Sequence, residues 1–299
     1  MRLGVNILNW NQADDTLKCV SSVRSWQITE KVVWVVDNAS CAADRDRLVA
    51  GLDKETLLVS ETNRGFAGGN NLAIQAALAA GCQYILLLNN DARISEENVN
   101  CLRQALNDDP RLGIVGPTLW DGRNPNRLLS AGGGDIGTAV SPHLTTPPAP
   151  DEIREVTYAP GTCALIRREI FERVGLLDET YFFGGEMADL CMRAREAGYT
   201  VAIVGGAKAF HTVDRSSEIR HWLHIYYVLR NRFLFVRKFH RRRQWRLFLF
   251  WTAQSGRPWL QAVLAGDWRR ERAIRLAVWD GWRGRFGGQN RRVSRGEIA

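Results

Sequence analysis

The sequence has no long apolar run and no pair of closely spaced cysteines. No segment reaches the roughly 18 consecutive apolar residues that a membrane-spanning helix requires. The six cysteines are scattered without a CxxC pair, which predicts reduced thiols in a cytosolic protein. The N-terminal stretch MRLGVNILNWN turns polar too soon for a signal peptide. We therefore expect a soluble or peripheral protein in the cytoplasm, either free or at the cytoplasmic face of the membrane.

The positive charge is concentrated near the C-terminus. Residues 220–299 contain 18 Arg and one Lys against two Asp and two Glu, a net charge of +15. Because the whole chain carries +8, residues 1–219 carry −7. Basic residues interleaved with Trp, Phe and Leu suit an anionic membrane surface, a helical cap or homo-oligomer contact, or nucleic acid. Nucleic acid is disfavoured because no recognition motif for it is present.

Strand and helix patterns alternate along the first part of the chain. Apolar runs such as YILLL are separated by amphipathic segments such as ADDTLKCVSSVRSW. This alternation predicts an α/β fold with a parallel, doubly wound sheet. Residues 121–151 are rich in Gly, Pro, Asn and Thr, so we expect an irregular excursion there. We expect an α/β domain of residues 1–217 and a basic, aromatic-rich helical extension of residues 218–299.

Two of the apolar runs end on an aspartate. VVWVV is followed by Asp37, and YILLL leads through Asn89 and Asn90 to Asp91. In parallel sheets of this kind, ligands bind beyond the carboxyl ends of the strands. A carboxylate beside amide side chains suits Mg²⁺, which uses one or two carboxylates together with phosphate and water. The alternative is that Asp91 caps a turn or the next helix.

A glycine-rich turn lies between a strand and a helix in NRGFAGGNN, residues 63–71. Glycine lets the backbone approach a ligand closely, and a helix N-terminus favours an anion. The turn matches neither GxGxxG nor a phosphate-binding P-loop, so a simple tight loop remains the alternative.

Carboxylates and a histidine in the second half of the chain are candidates for chemistry. Glu186 and Asp189 are three residues apart in YFFGGEMADLC, so they share a face if this segment is helical. A carboxylate at the start of that helix is a candidate general base. The alternative is an ordinary helix start with acids on the dipole. His211 follows an apolar strand and is either a metal ligand or a satisfied polar residue.

The order of these motifs resembles the family 2 glycosyltransferases of the GT-A fold, especially their bacterial rhamnosyltransferase-like branch. The resemblance covers about residues 3–240, including IYYVLRNRFLFVRK. It implies a GT-A, Rossmann-like, mostly parallel sheet flanked by helices. It also implies inverting transfer of a sugar from a nucleotide-diphosphate donor, dTDP-rhamnose-like or a UDP-sugar, to a hydroxyl of a glycan or lipid-linked acceptor. The implied cofactor is Mg²⁺ or Mn²⁺, and the implied role is synthesis of a bacterial polysaccharide or glycoconjugate.

The resemblance also assigns individual residues. Asp37 corresponds to the aspartate that contacts the base or ribose of the donor. Asp91 and His211 correspond to the metal site. The remaining donor-binding residues are Asn9, Asn63, Gly65, Phe66, Gly69, Asn70 and Asn90.

One position departs from the pattern of the branch. These enzymes usually have Glu-Asp-x-Asp-Leu-Cys, in which the Asp after the Glu is taken as the base, but here Met187 stands there. Methionine cannot accept a proton, so either Glu186 or Asp189 takes the role, or the protein binds donor without efficient transfer. We favour Glu186, because Asp189 lies deeper in the expected helix. A nucleotidyltransferase is disfavoured, because NWNQADD after the first strand lacks a basic, glycine-rich loop.

Overall fold

Strands and helices alternate in the first 121 residues, as expected. The structure is a computed structural model that describes residues 2–212 and 218–294. Its strands are β1 (Leu3–Asn9), β2 (Lys31–Asn38), β3 (Thr56–Ser60), β4 (Tyr84–Asn89), β5 (Ala92–Ile94), β6 (Leu112–Asp121), β7 (Leu128–Ser130), β8 (Ile153–Glu155), β9 (Cys163–Arg167) and β10 (Thr200–His211).

The helices surround this sheet and continue beyond it to the C-terminus. Ser95 caps α4 by accepting from the N–H of Asn98, and Gly81 follows α3 with a φ of +74°, as their sequence positions indicate. The helices are α1 (Ala13–Arg24), α2 (Ala42–Gly51), α3 (Gly65–Ala79), α4 (Glu96–Asp108), α5 (Arg168–Val174), α6 (Glu186–Glu196), α7 (Glu218–Phe239), α8 (Gln244–Leu264), α9 (Trp268–Arg283) and α10 (Asn290–Val293).

All strands belong to one mixed sheet with the central order β3-β2-β1-β4-β9-β6-β10-β5. The first four strands in this order are parallel, as are β6 and β10, whereas β9 runs antiparallel to both of its neighbours. The chain enters β9 from the excursion after β6, without the crossover helix that a parallel connection requires. The expected α/β class with a mostly parallel sheet is confirmed; β9 is antiparallel in the centre of the sheet, and the short strands β5, β7 and β8 pair antiparallel with β10 or β6.

The sheet separates two apolar layers. Successive side chains of a strand point to opposite faces, so Val33 and Val35 of β2 pack into one layer while Trp34 and Val36 pack into the other. Leu86 and Ile85 divide in the same way on β4. The apolar runs therefore lie in the core with helices on both faces, and the strand ends are left at the edge.

The excursion and the C-terminal region also have the expected character. β7 pairs antiparallel with β6 and forms a short hairpin inside the excursion. Between residues 218 and 294 the chain is mostly helical, and α7 is tied to the helices after it because Tyr226 donates to Asp280 (2.8 Å). The expected domain boundary at residue 217 lies outside the described residues. None of the described helices is long and apolar enough to cross a membrane.

Candidate functional site

Three neighbouring strands end where the expected site residues lie. β2 and β4 flank β1, and the register places Asn9 beside Asp37 and Leu8 beside Asn89. Parallel strands end at the same edge of a sheet, so both acidic strand ends meet there. The structure therefore brings Asp37 and the turn at residues 89–91 to one edge, separated by a single strand.

Asp37 is oriented by the protein itself. Its side chain is fully buried, and Oδ1 accepts a hydrogen bond from the N–H of Ser40 (3.1 Å). Oδ2 accepts from Nε of Arg45 (2.7 Å), whose positive charge balances the carboxylate. The carboxylate is therefore held at the strand end and paired with a charge before a ligand arrives.

Two of the four asparagines expected at the donor site are joined through a threonine. Nδ2 of the buried Asn9 donates to Ser40 (3.0 Å) and Asp44 (2.8 Å), and its Oδ1 accepts from Thr16 (2.8 Å). Asn90 donates to the same Thr16 hydroxyl (3.0 Å). These bonds fix the ends of β1 and β4 relative to α1, so both amides shape the edge of the site.

Asp91 and His211 are 120 residues apart in the chain but adjacent in space. Strand β5 pairs with the end of β10, which places His211 opposite Ala92. Nε2 of His211 lies 3.1 Å from the Asp91 carboxylate, and the N–H of Thr212 donates to the Asp91 carbonyl oxygen (2.9 Å). The pair expected to hold a metal is therefore assembled.

The pair has part of the ligand set of a divalent cation. Both carboxylate oxygens of Asp91 lie 3.1 Å from Nε2 of His211, and the buried Oδ1 has no other polar partner among the described residues. Within residues 2–212 and 218–294, no group of three or more His, Cys, Asp and Glu side chains is arranged to hold a metal. The protein thus offers one carboxylate and one imidazole, which fits a cation that completes its coordination with phosphate and water.

The first turn of α3 is used by the protein, as in the tight loop that the sequence offered beside an anion site. The N–H of Gly65 donates to Oδ1 of Asn63 (2.8 Å). The N–H groups of Phe66 and Ala67 both donate to the carbonyl oxygen of Phe182 (2.7 and 3.3 Å). Three of the four amides that a helix start leaves free are therefore satisfied internally. Two of these three groups bind another loop of the protein, the one that contains Phe182.

The glycines of this turn permit close contact between protein segments. Gly65 has a φ of +70°, and a Cβ added there would lie 2.2 Å from the Phe182 carbonyl oxygen. A Cβ on Gly69 would lie 2.5 Å from a methyl group of Leu8. Asn70 donates to the carbonyl of Phe66 (3.0 Å) and is buried. In this structure these residues contact other parts of the protein, and their contacts with a nucleotide-sugar donor stay a prediction.

Asn38 was not among the expected site residues, although it follows Asp37 directly. Its Nδ2 donates to Oδ1 of Asn63 (3.2 Å) and to the carbonyl of Gly65 (3.0 Å). Its Oδ1 accepts from the N–H of Arg64 (2.9 Å). Asn38, the second polar residue at this strand end, thus positions the glycine-rich turn. The sequence signal for this role is its place directly after Asp37 in VVDN.

The segment before α6 has a strained backbone that only specific residues allow. Phe182 has a φ of +63°, and Gly184 and Gly185 have φ values of +79° and +107°. The left-handed region costs little for glycine but is unfavourable for phenylalanine. The bonds from α3 to the Phe182 carbonyl hold the strained residue, and the two glycines then turn the chain so that α6 begins at Glu186. We call residues 181–186 the 181–186 loop.

Glu186 is a buried carboxyl group with one unsatisfied oxygen. Only 6% of the residue is exposed, and Oε2 accepts no hydrogen bond from the described residues. Its pKa is raised to about 7, mainly by burial and in smaller part by the nearby charge of Asp189, while the N–H groups of Glu186 and Gly184 oppose the shift. A carboxyl group that titrates near neutral pH is suited to proton transfer.

Asp189, the other candidate, is engaged in ion pairs. It is fully buried, its Oδ1 accepts from Nε of Arg193 (2.6 Å), and its Oδ2 is paired with Lys238. Lys238 also binds Asp178 (2.8 Å), so this network joins α6, α7 and the segment before the 181–186 loop. Removing one member of a buried pair leaves an uncompensated charge, which indicates a structural role for Asp189.

Met187, at the position of the usual aspartate, is packed in the apolar core. It is 4% exposed. A Cβ atom added to Gly161 would lie 2.6 Å from Cγ of Met187 and 3.2 Å from the ring of Phe66, so the three residues pack closely together. Met187 therefore fills apolar space beside the glycine-rich turn, and Glu186 is the adjacent ionisable group.

Two residues of α7 hold the 181–186 loop, and the sequence-based site does not include them. Nδ2 of the buried Asn231 donates to the carbonyl groups of Tyr181 (2.9 Å), Phe183 (2.9 Å) and Gly184 (2.6 Å). The fully buried Arg230 donates to the Tyr181 carbonyl (3.0 Å). The sequence signals are the three polar residues RNR inside the apolar segment YYVLRNRFLF and the place of this segment in the family resemblance.

This edge, the Asp91–His211 pair and the buried Glu186 belong to a glycosyltransferase of the nucleotide-sugar-dependent kind. The model of the family described as "Glycosyl transferase family 2" matches residues 5–175. The chain belongs to this family, as its motifs predicted.

Two relatives support the rhamnosyltransferase-like branch of this family. The chain is 29% identical over 216 residues to the dTDP-rhamnosyl transferase RfbF of Shigella flexneri, covering 70% of this chain and 71% of the relative. It is 25% identical over 279 residues to the N-acetylglucosaminyl-diphospho-decaprenol L-rhamnosyltransferase of Mycobacterium tuberculosis, covering 85% and 90%. The similarity to rhamnosyltransferases is therefore confirmed, and a degenerate binding protein is not favoured.

Solved structures agree on the fold. The mannosyltransferase PcManGT of Pyrobaculum calidifontis, in complex with GDP-Man and Mn²⁺, has a TM-score of 0.60 at 15% identity. The match covers 95% of this chain and 88% of the mannosyltransferase chain. GalNAc-T7, with UDP, GalNAc and Mn²⁺, has a TM-score of 0.60 at 17% identity and covers 79% of this chain but only 48% of its own. Both share the GT-A architecture.

Proposed function

We propose that this protein transfers a sugar from a nucleotide-diphosphate donor to an acceptor hydroxyl with inversion at the anomeric carbon, and that Glu186 is the base. The bond between the anomeric carbon and the diphosphate oxygen breaks as the acceptor oxygen forms its new bond from the opposite face. The acceptor proton passes to Glu186, and the nucleoside diphosphate leaves. The acceptor is a glycan or a lipid-linked sugar used to build a bacterial polysaccharide or glycoconjugate.

The state of Glu186 is the observation that carries this proposal. Its unsatisfied Oε2 has a free lone pair, and its pKa of about 7 lets it exchange a proton near neutral pH. Asp189 has no free oxygen, because its oxygens are used by Arg193 and Lys238. Asp189 is therefore the less favoured candidate for the base.

A dTDP-rhamnose-like donor is the first candidate and a UDP-sugar is the second. The support for rhamnose is the naming of two relatives as rhamnosyltransferases. In this proposal Asp37 contacts the base or ribose, and Asn63, Phe66 and Asn70 line the nucleoside pocket.

We propose that the transfer depends on Mg²⁺ or Mn²⁺ held by Asp91 and His211. The Asp91 carboxylate, whose buried Oδ1 has no partner besides His211 among the described residues, and the facing imidazole supply suitable ligands. Bound there, such a cation would neutralise charge that develops on the leaving diphosphate. The structures of two GT-A enzymes with Mn²⁺ support this assignment.

The test is turnover of purified protein with dTDP-rhamnose, UDP-sugars and GDP-sugars, each with a set of glycan and lipid-linked acceptors. We expect acceptor-dependent release of nucleoside diphosphate, and Glu186→Gln should reduce kcat by about 10² to 10⁴ while donor affinity is kept. Glu196→Gln, an exposed change at the other end of α6, is the matched control.

Two outcomes would contradict the assignment. If Glu186→Gln turns over normally while a folded Asp189→Asn is inactive, the base is Asp189. If the wild type binds donor but transfers to no acceptor, the protein is not an efficient transferase.

A further inference from the structure

Exposed apolar side chains are concentrated on two helices of the C-terminal extension. Among the described residues, thirteen large apolar side chains are strongly exposed, and seven of them lie on α8 and α9. Because these two helices cover only residues 244–283, this is a local patch. Its members are Trp245 (67% exposed), Leu249 (63%), Trp259 (38%), Leu260 (50%), Leu264 (79%), Trp268 (64%) and Trp279 (53%).

Four of the five α8 members lie along one face. Trp245, Leu249, Leu260 and Leu264 are separated by four, eleven and four residues, which at 3.6 residues per turn puts them within about 100° of the helix circumference. The opposite face of α8 is buried, with Phe248 at 0% and Trp251 at 3% exposure. The helix therefore has two apolar faces, and the core uses one of them.

The inner face of α8 is anchored near the 181–186 loop. Nε1 of Trp251 donates to the carbonyl of Gly137 (2.7 Å), and the guanidinium of Arg232 lies 4.0 Å above the Trp251 ring. The side chain of Ile136, the neighbour of Gly137, packs beside Gly185, where an added Cβ atom would lie 3.5 Å from it. A single helix thus separates the exposed patch from the residues that pack beside Glu186.

Arginines border the patch. The exposed Arg246 and Arg257 lie beside the apolar stripe of α8, and the exposed residues 241–243, all arginine, precede it. On α9, Trp279 lies under the guanidinium of Arg283 (4.6 Å). An open groove of about 940 Å³ between α8 and α9 is lined by further Trp and Arg side chains, including Trp282 and Arg292.

We propose that this α8–α9 patch docks on the surface of an anionic lipid bilayer, with its Trp and Leu side chains in the interfacial layer and its arginines on the lipid phosphates. Trp is favoured at membrane interfaces, and an apolar face bordered by basic residues binds anionic membranes by both hydrophobic and electrostatic contact. A second protein copy would have to match the same arginine border, whereas an anionic surface complements it directly. The inference goes beyond the proposed transfer reaction and does not depend on the donor.

The test is flotation of the full chain with vesicles of phosphatidylcholine alone or with phosphatidylglycerol. We expect stronger binding to the anionic vesicles that weakens as salt is raised, because exposed charges are screened. The double variant Leu249→Glu/Leu264→Glu should lower the bound fraction by about tenfold or more, since it removes apolar contact and adds repulsion. Val49→Glu, an equally exposed apolar position on α2, is the matched control and should bind like the wild type.

Transfer to a water-soluble acceptor should be equal in the double variant and the wild type, which shows that the variant is folded and separates this test from that of the reaction. The inference is overturned if the double variant binds anionic vesicles like the wild type, because charge alone would then explain binding. It is also overturned if the wild type ignores vesicles and forms a dimer that the double variant breaks, because the patch would then be a contact between copies.

Discussion

At the scale of single residues, charge pairing distinguishes the two buried carboxylates at the start of α6. Glu186 and Asp189 are three residues apart and both buried. Asp189 is neutralised by two positively charged side chains, whereas Glu186 has a free oxygen. The cost of burying an uncompensated charge appears as the raised pKa of Glu186. Replacement of the usual aspartate by Met187 increases the apolar surroundings and leaves Glu186 as the ionisable neighbour.

The raised pKa of Glu186 predicts a pH dependence of transfer. A base must be ionised, so kcat/KM should rise as pH increases and level off above an apparent pKa of about 7. Glu186→Gln should lose this acidic limb from its residual activity, whereas Glu196→Gln should keep it. A pH profile of the wild type without an acidic limb near neutrality would contradict the role of Glu186.

The same shift predicts a pH dependence of stability. The folded-state pKa of Glu186 is about 7, above its ordinary 4.5, so the folded protein binds more protons between these values. Its unfolding free energy therefore contains a contribution that is present below 4.5 and lost as pH rises to about 7. Urea unfolding should show Glu186→Gln gaining about 1–3 kcal/mol on the wild type between about pH 5 and pH 8. A constant difference across this range would count against the shift.

Asp91 gives a second prediction at this scale. Asp91→Asn removes the charge that would bind a cation, so cation-dependent donor affinity should weaken and transfer should slow by about 10²-fold or more. Calorimetry of nucleoside diphosphate binding with and without Mn²⁺ measures the first effect. Asp46→Asn, an exposed change on α2, is the control. Full activity of the wild type in EDTA would refute the metal assignment.

At the scale of elements, α7 acts as a support for the site. Arg230 and Asn231 bind backbone carbonyls on both sides of the strained Phe182, while α3 binds the Phe182 carbonyl from the other side. The 181–186 loop is thus held between two helices that are far apart in the sequence. Because α6 begins at the end of this loop, the position of Glu186 depends on both helices.

This arrangement predicts that Asn231 is a positioning residue. Asn231→Ala leaves three carbonyl groups without their donor, so kcat should fall by at least about tenfold because a small displacement of the base is costly. Donor affinity should be unchanged, and the unfolding free energy should fall by about 1–3 kcal/mol.

Tyr226→Phe is the matched control for Asn231→Ala. It removes one buried hydrogen bond on the same helix, to Asp280, without touching the loop. It should reduce stability by about 1 kcal/mol and leave kcat unchanged. If both variants lower kcat equally, the effect is one of general stability and Asn231 has no specific positioning role.

At the scale of the whole molecule, the charge is divided between two regions. The acidic first part carries the sheet and the strand-end aspartates, and the arginine-rich helices cover the 181–186 loop. A cation at Asp91 would bring a donor diphosphate into a site whose own strand ends are acidic. Donor and cation should therefore stabilise the fold together.

Thermal unfolding tests this linkage. A nucleoside diphosphate at 100 times its Kd should add about 2.7 kcal/mol of apparent stability. We expect the increase in Tm to be largest for the correct nucleotide with Mg²⁺ or Mn²⁺ and to shrink when EDTA is added. If UDP, dTDP and GDP all leave Tm unchanged with either cation, the chain does not bind a nucleotide donor at this site.

The sequence alone determined the α/β class, the family and the helix start at Glu186, because these depend on local periodicity, glycine and the order of motifs. It also placed Asp37 and Asp91 at strand ends, since an apolar run followed by an acid needs no knowledge of distant residues. Only the tertiary structure decided that the α3 amides bind Phe182, that Asn231 holds the loop, and that Glu186 is buried with a raised pKa. These properties arise from contacts between segments about 50 or more residues apart, and no local pattern records which distant group will satisfy or bury a given atom.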